Sequence, residues 1–262
     1  MNIDSPHVKK SGVHYLIEAM ELYERKMADE LKQWQKKISR RPSLTNRITR
    51  SLQQRVNKVI PEKVHQAITT AIKQMVRAVL FGAKHTTATI DQEMSLQKRE
   101  QTIIERIEFY KKTAAAEGGL TGLGGILLAF ADFPLLLGIK IKLLFEIASL
   151  YGRDINDFRE RVYILYIFQL AFSSQHNRRE VYKQLENWEE VSSKIPDDIH
   201  EFDWRLFQQE YRDYIDLAKM AQMLPVVGAV VGLVVNYRLL NQLGNTAMNA
   251  YRMRWKQEKH LG

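Results

Sequence analysis

Asp132 is the residue whose type and setting most clearly suggest chemistry, because it is the single charged side chain in the apolar stretch 120–139. An unpaired carboxylate in an apolar setting is costly, so Asp132 must find hydrogen-bond donors. In one interpretation Asp132 caps a helix that begins at Phe133 or Pro134. In the other, it contacts an ion or a lipid headgroup. Basic residues that could then lie close to it are Lys140, Lys142 and Arg238.

Other polar residues in or beside the apolar segments are candidates for the same kind of contact. Glu146 follows Lys142 by four residues, so an ion pair within one helix is the simpler explanation for this carboxylate. The remaining polar candidates are Glu117, Asn236 and Arg238.

A glycine-rich stretch from Gly118 to Gly125 could cradle a phosphate with its backbone N–H groups. It lacks the lysine of the GxxxxGKS/T motif and no hydrophobic strand precedes it, so nucleotide binding is disfavoured. Close helix packing or an apolar hairpin is favoured over contact with a lipid phosphate. The GxxxG spacing, which lets helices approach closely, supports packing. The candidate packing glycines are Gly118, Gly119, Gly122, Gly124, Gly125, Gly228 and Gly232.

The usual signatures of enzymes and metal sites are missing from the sequence. It has no cysteine, which excludes disulfides, thiol catalysis and cysteine-ligated metals. Its seven histidines show no HxxxH or HExxH spacing, and no GxSxG motif occurs. We therefore expect no catalytic residue, no metal ligand and no cofactor. An enzyme of unrecognised chemistry stays an alternative, because a site built from distant residues leaves no local trace.

The formal net charge of +9 is concentrated in one segment. Between Arg25 and Lys63 there are twelve basic residues and three acids, whereas the rest of the chain is balanced. Such a segment could bind anionic lipid, bind nucleic acid, or form a helix face that is exposed to solvent. Nucleic acid is disfavoured because the segment contains no nucleic-acid-binding motif. The lipid-contact candidates are Lys32, Lys36, Lys37, Arg40, Arg41, Arg47 and Arg50.

Apolar residues recur at helical spacing along most of the chain, and no stretch shows strand alternation, so the fold class is predicted to be all-α. We expect a bundle of about eight to nine helices with two short glycine-containing apolar segments, 120–139 and 224–235, at its centre. The first segment should form two short helices joined near Asp132. Further helices are predicted from Leu16 to Ile38, from Pro61 to about Gly82, from Asp91 to Thr113, from Lys140 to Leu150 and from about Asn245.

Capping residues mark several helix boundaries. Gly152 is placed to end one helix. Asn156 or Asp157, Asn177 and Asp203 are placed to begin others. We expect residues 1–90 to form basic amphipathic helices packed on a helical core of residues 91–262, within one continuous domain, 11–258. The polar N-terminus carries no secretory signal, so a cytoplasmic location is expected.

Several stretches resemble the signature of the EcsC family of bacterial proteins, roughly from the first amphipathic helix to Arg254. They are Glu117-Gly-Gly-Leu-Thr-Gly-Leu-Gly-Gly, Ala131-Asp-Phe-Pro, Glu146-Ile-Ala-Ser-Leu-Tyr-Gly152, the glycine-containing run from Leu224 to Arg238, and Thr246-Ala-Met-Asn-Ala-Tyr-Arg-Met-Arg254. The family takes its name from a gene found beside an ABC transporter implicated in secretion and cell-envelope processes. The resemblance implies membrane proximity and no established activity.

Three hypotheses follow for function. The first is a non-catalytic accessory protein, peripheral at the inner face of the cell membrane, whose partners are anionic lipid and a membrane protein such as an ABC transporter. The second is a soluble helical module that binds a protein or a small molecule. The third is an unrecognised enzyme with a perturbed carboxylate at Asp132 or Glu146.

Overall fold

The computed structural model of the chain confirms the prediction of an all-α multi-helix bundle, and the residues that it describes contain no strand. Within them, the backbones of Ser173 and Ile215 form an isolated antiparallel bridge. The described residues are 6–40, 62–81, 94–121, 125–174, 177–196, 201–215, 220 and 229–261.

Nine helices lie within these ranges. They are α1 (Pro6–Ser39), α2 (Glu62–Phe81), α3 (Leu96–Thr121), α4 (Gly125–Leu150), α5 (Phe158–Phe172), α6 (Arg178–Glu186), α7 (Trp188–Ser193), α8 (Trp204–Tyr214) and α9 (Ala229–Leu261).

Helices α3, α4 and α9 pack together as a three-helix core. Ile107 of α3, Leu144 of α4 and Leu243 of α9 are buried in it. Helices α2 and α5 pack against this core, and Leu31 of α1 and Ile68 of α2 belong to the same continuous cluster of buried side chains. The N-terminal helices therefore share one hydrophobic core with the rest of the described chain. The boundary at residue 90 stays a prediction.

Local capping signals act as the sequence predicts at two helix boundaries. Gly152 adopts φ +76° after α4, with Gly152 N donating to the carbonyl of Ser149 (2.7 Å) and Arg153 N donating to that of Ala148 (3.0 Å). This pair of bonds satisfies carbonyls that the end of a helix otherwise leaves unpaired. Asp157 caps α5 by accepting a hydrogen bond from the backbone N–H of Arg159 at 2.9 Å.

The two other predicted caps differ from each other. Asp203 accepts a hydrogen bond from the backbone N–H of Leu206 (3.0 Å) at the start of α8, as expected. Asn177 precedes α6 but makes no side-chain cap. Its side chain donates instead to the carbonyl of Asp213 (3.2 Å), so a tertiary contact replaces the local one.

The expected break near Asp132 is wrong, because α4 runs without interruption from Gly125 to Leu150 and includes Pro134. A proline inside a helix costs about 3 kcal/mol. Pro134 itself lies on the exposed face of the helix. Phe133, Leu136 and Leu137 are buried on the other face, and each contributes about 1.5–3 kcal/mol, which outweighs that cost.

Other boundaries also differ from the predictions. Helix α1 begins at Pro6 rather than at Leu16, and α3 runs from Leu96 to Thr121 rather than from Asp91 to Thr113. Helix α9 begins at Ala229 rather than near Asn245. The described part of the second apolar segment is therefore the first part of a long helix. Helix α9 tolerates Gly244 in its interior because α3 lies against it there: a Cβ at Gly244 would stand 2.5 Å from Cγ1 of Ile107.

Candidate functional site

A lysine is completely buried in the three-helix core. Lys140 of α4 donates hydrogen bonds from Nζ to Oδ1 of Asn236 (3.2 Å) and to the carbonyl of Leu136 (3.3 Å). Neither acceptor carries a charge, and Lys140 forms no ion pair with a carboxylate in the described part of the chain. Burial lowers the pKa of Lys140 to about 7, because desolvation disfavours the ammonium form.

The helical period explains why Lys140 is buried while Lys142 is exposed. Lys140 follows Leu136 by four residues and Leu137 by three, so it shares their buried face of α4. Lys142 lies on the opposite face. The three- and four-residue spacing is visible in the sequence, and it could have identified Lys140, rather than Lys142, as the buried lysine.

We call the end of the three-helix core at which α3 ends and α4 and α9 begin the apolar end. Large apolar side chains stand exposed there: Leu135 is 54% exposed, Val234 42% and Tyr237 39%. Exposed apolar groups that lie close together mark contact sites for proteins or membranes. The sequence did not identify these side chains, because their exposure depends on how three separate helices meet.

Three exposed cations lie in the same region, and we call them the cation belt: Lys112, Lys142 and Arg238. None of them forms an ion pair with a residue that the structure describes. The neighbouring Lys111 is buried and fully engaged instead, with Nζ 3.2 Å from Oδ1 of Asn241 and 4.3 Å from the centre of the Tyr237 ring. Of the belt, the sequence singled out only Arg238 as a candidate in its own right.

Glu146 does not pair with Lys142, contrary to expectation. Its Oε1 accepts a hydrogen bond from the hydroxyl of Tyr110 (2.6 Å), and its Oε2 lies 3.8 Å from Nε of Arg106. Burial, followed by the neighbouring carboxylate, raises the pKa of Tyr110. Glu146 therefore joins α4 to α3 rather than stabilising a single helix, and Lys142 stays available to solvent.

A buried ion pair joins α3 to α9 at the far end of the core. Arg252 donates from Nε and Nη2 to the two carboxylate oxygens of Glu100. The hydroxyls of Tyr23 (2.6 Å) and Tyr151 (2.8 Å) donate to the same carboxylate, and Glu30 accepts from Nη1 of Arg252 at 3.0 Å. Every oxygen of Glu100 is thus used in holding helices together.

A second buried cluster joins α5 to α9. Glu160 accepts hydrogen bonds from the hydroxyl of Tyr251 (2.6 Å) and from Nη1 of Arg254 (2.7 Å). The guanidinium of Arg254 also lies over the ring of Tyr163, 4.4 Å from its centre. Burial raises the pKa of Tyr251 and of Tyr163, so both phenols stay neutral donors. The arrangement is that of a structural anchor.

The predicted lipid-contact residues of α1 are exposed. Lys32, Lys36 and Lys37 are exposed on this helix, away from the buried Leu31, and the exposed Arg40 directly follows its last residue. None of the four forms an ion pair with a described residue. We call these four residues the basic stripe. The other candidates of this group, Arg41, Arg47 and Arg50, lie outside the described residues.

The remaining polar candidates differ in burial and in their position within the helices. Asn236 is buried against Lys140, whereas Arg238 is exposed. Asp132 lies inside α4 and therefore does not cap it, since the helix begins at Gly125. Glu117 lies in α3. The side chains of Asp132 and Glu117 are outside the described part of the chain.

The glycine-rich stretch is mostly helical where it is described. Gly118 and Gly119 lie in the last turns of α3, Gly125 begins α4 and Gly232 lies in α9. The glycines outside the described residues are Gly122, Gly124 and Gly228. Gly244 was not among the predicted packing glycines; an isolated glycine inside a helical pattern is the signal that could have identified it.

The described residues contain no group of three or more histidine, aspartate or glutamate side chains that could hold a metal ion. None of their helices combines the length and the hydropathy needed to cross a membrane.

Known proteins similar to the chain come from bacteria. The sequence model of the EcsC protein family matches residues 25–255. Protein EcsC from Bacillus subtilis (strain 168) is 44% identical over 233 residues, which cover 88% of this chain and 96% of that protein. Uncharacterized protein YdbA from the same organism is 27% identical over 268 residues, which cover 95% of this chain and 94% of that protein. No solved structure matches the chain.

Proposed function

The chain belongs to the EcsC protein family, and from this premise we propose that it is a non-catalytic accessory protein that binds the cytoplasmic face of the cell membrane. The single observation that carries the proposal is the composition of the apolar end. There, Leu135, Val234 and Tyr237 stand exposed in the same region as the exposed cations of the belt. Apolar side chains gain by entering the acyl boundary of a bilayer, while cations bind anionic headgroups.

The chemistry of the apolar end favours lipid over a purely polar partner. Each apolar side chain moved out of water contributes roughly 25 cal/mol per Å² of buried surface. Each Lys or Arg near an anionic surface adds about 1 kcal/mol. Three such cations together with three apolar side chains suit a protein that lies on the bilayer and attaches to it reversibly.

The charged clusters of the described core support a non-catalytic role. The carboxylates of Glu100 and Glu160 are held by arginine and tyrosine side chains from other helices. A carboxylate that acts as a general acid or base must exchange a proton with the reacting group. Their hydrogen bonds are instead used to fix the helices relative to one another.

The resemblance to EcsC proteins adds a candidate partner. An ABC transporter would present a surface beside the bilayer, and attachment through the apolar end would confine the chain to the membrane plane in which such a partner lies. We expect the transporter and the chain to co-purify from cross-linked membranes, and recovery of the chain without a membrane protein would contradict this part of the proposal.

Co-sedimentation with vesicles tests the proposed membrane attachment. Purified chain is mixed with vesicles of phosphatidylcholine, or of phosphatidylcholine and phosphatidylglycerol in equal parts, at low and at high salt. We expect binding to the anionic vesicles that weakens but persists in salt, because salt screens the cations and leaves apolar burial intact. Absence from both vesicle pellets would overturn the proposal and favour the soluble binding module.

A further inference from the structure

Helix α1 runs antiparallel to α9 at the end of the bundle opposite the apolar end. Glu24 pairs with Lys259, and Glu30 accepts a hydrogen bond from Nη1 of Arg252 at 3.0 Å. Six residues along α1 therefore match seven residues along α9 in the opposite direction. By this register Leu261, the last residue of α9, lies beside α1 at about residue 22.

Helix α1 extends beyond that point by its residues 6–21, which we call the overhang. At a rise of about 1.5 Å per residue, the overhang is about 24 Å long. All six residues from Ile17 to Leu22 are exposed, and six consecutive residues span more than one and a half helical turns. Within the described part of the chain, α1 packs mainly against α6 and α9, and no described residue covers any side of α1 between these two positions.

One face of the overhang continues a face that is buried elsewhere in the same helix. Met27 and Leu31 are buried where α1 packs on the bundle. Met20 precedes Met27 by seven residues, or about two turns, so the two side chains lie on the same face of α1. Met20 is nevertheless 46% exposed, and Ile17, three residues earlier, is 49% exposed. The apolar face of α1 is therefore longer than the described surface that covers it.

The overhang gains little helical stability from its own composition. It contains Gly12 and the β-branched Val8 and Val13, all of which have lower helix propensity than alanine or leucine. Most helical stability in proteins comes from packing an amphipathic face against another element. A partner that covers the exposed apolar side chains would therefore stabilise this part of α1.

The charges of this part of α1 disfavour an anionic membrane as that partner. From Ser11 to Glu24 the sequence has three acids, Glu18, Glu21 and Glu24, and no lysine or arginine. Helices that lie on anionic bilayers carry lysine and arginine on their polar face. An anionic surface would repel this stretch, so a protein surface that offers both apolar side chains and cations fits it better.

A second copy of the overhang offers both. Lys9 and Lys10 belong to its first half, whereas Glu18 and Glu21 belong to its second half. If two copies cross antiparallel about the middle of the overhang, the lysines of each copy lie at the level of the acids of the other. A parallel pair would place lysines beside lysines and acids beside acids. Opposite charges across a helix pair select its orientation.

We propose that the overhang is a self-association surface, through which two copies of the chain pair antiparallel and bury Ile17 and Met20. Such a contact uses the same patch on both copies, so it closes at two. The EcsC family model matches from residue 25 onward, so the overhang precedes the part of the chain that the model matches. The inference is independent of the proposed membrane attachment.

Sedimentation velocity of the whole chain between about 1 and 200 µM, without lipid, tests the pairing. One helix pair buries less than the roughly 800 Å² per partner of a standard interface. We therefore expect a reversible dimer with a Kd on the order of 10 µM. A monomer at every concentration, or an assembly larger than a dimer, would overturn the inference while leaving the proposed membrane attachment standing.

Two matched variants test which face of α1 makes the contact. Met20→Gln should raise the Kd of the dimer about 10-fold or more, because its side chain is buried once in each copy. Leu22→Gln is the control: Leu22 is 70% exposed but lies two residues from Met20, on the opposite side of α1. We expect it to change the Kd by less than about 2-fold. Equal effects of the two variants would overturn the proposed face.

Exchange of charge tests the antiparallel orientation. Glu18→Lys with Glu21→Lys makes both halves of the overhang basic, and Lys9→Glu with Lys10→Glu makes both halves acidic. Each double variant alone should be monomeric at about 50 µM, and an equimolar mixture should dimerise, because every basic half then meets an acidic half. In a parallel pair neither variant has more like-charge contacts than the parent chain. Unchanged self-association of either variant would therefore overturn the antiparallel pairing.

Discussion

Arg252 donates two hydrogen bonds to Glu100 inside the bundle, from Nε to Oε1 (2.8 Å) and from Nη2 to Oε2 (2.5 Å). The two residues are 152 positions apart in sequence and join α3 to α9. Because the pair is bidentate and buried, it sets the register between these helices. That register determines which cations lie at the same position along the axis of the three-helix core, near the apolar end.

The first prediction concerns this pair. Arg252→Met should lower the free energy of unfolding by about 3–5 kcal/mol, because the buried Glu100 carboxylate loses its counter-charge. The matched control is Arg153→Met, which removes the ion pair of Arg153 with the exposed Glu258 and should cost about 1 kcal/mol or less. Urea denaturation followed by circular dichroism measures both. Equal losses would contradict a structural role for the buried pair.

The second prediction compares two helical glycines. Gly244→Ala should destabilise the protein by about 1–3 kcal/mol, because the new Cβ would overlap Cγ1 and Cδ1 of Ile107. Gly138→Ala has no atom within 4 Å of the new Cβ and should stabilise α4 by about 0.5–1 kcal/mol. Thermal melting reports both changes. A shift in the same direction for the two variants would disprove the close approach of α3 and α9 at Gly244.

The third prediction concerns the pH dependence of stability. The pKa of Lys140 falls from its ordinary value of 10.5 to about 7 in the folded chain. The unfolded chain therefore binds more protons between these values, and stability rises as the pH increases from about 7 towards 10. Lys140→Met should remove this contribution and stabilise the protein at pH 7 by on the order of 3 kcal/mol.

Unfolding free energies of the two chains across that pH range provide the test. The advantage of Lys140→Met should shrink as the pH rises, because the wild-type amine becomes neutral in both states. An advantage independent of pH would show that packing rather than the buried charge separates the two chains.

Boundaries marked by a short-range signal could be read from the sequence. Gly152 and Asp157 act within one helical turn, so the residues that surround them in the chain are enough to determine what they do. The all-α class was predictable for a similar reason, because helical spacing repeats along most of the chain.

Helix continuity could not be read in the same way. Whether Pro134 interrupts α4 depends on which face of that helix is buried, and whether Gly244 interrupts α9 depends on the approach of α3. Both are tertiary facts that override local propensity. The cation belt could not be predicted from the sequence for the same reason. Lys112, Lys142 and Arg238 come from three helices, and only the packing of those helices brings the three cations to the same position along the core axis.

The central claim is that the apolar end meets the bilayer while the opposite end of α9 does not. The sequence has no cysteine, so a single fluorophore can be attached at Val234→Cys or at Lys256→Cys, both on exposed side chains. Vesicles that carry a spin-labelled lipid quench only probes that enter the bilayer. We predict quenching at residue 234 and an unchanged signal at residue 256. Quenching at residue 256 with no change at residue 234 would contradict the account.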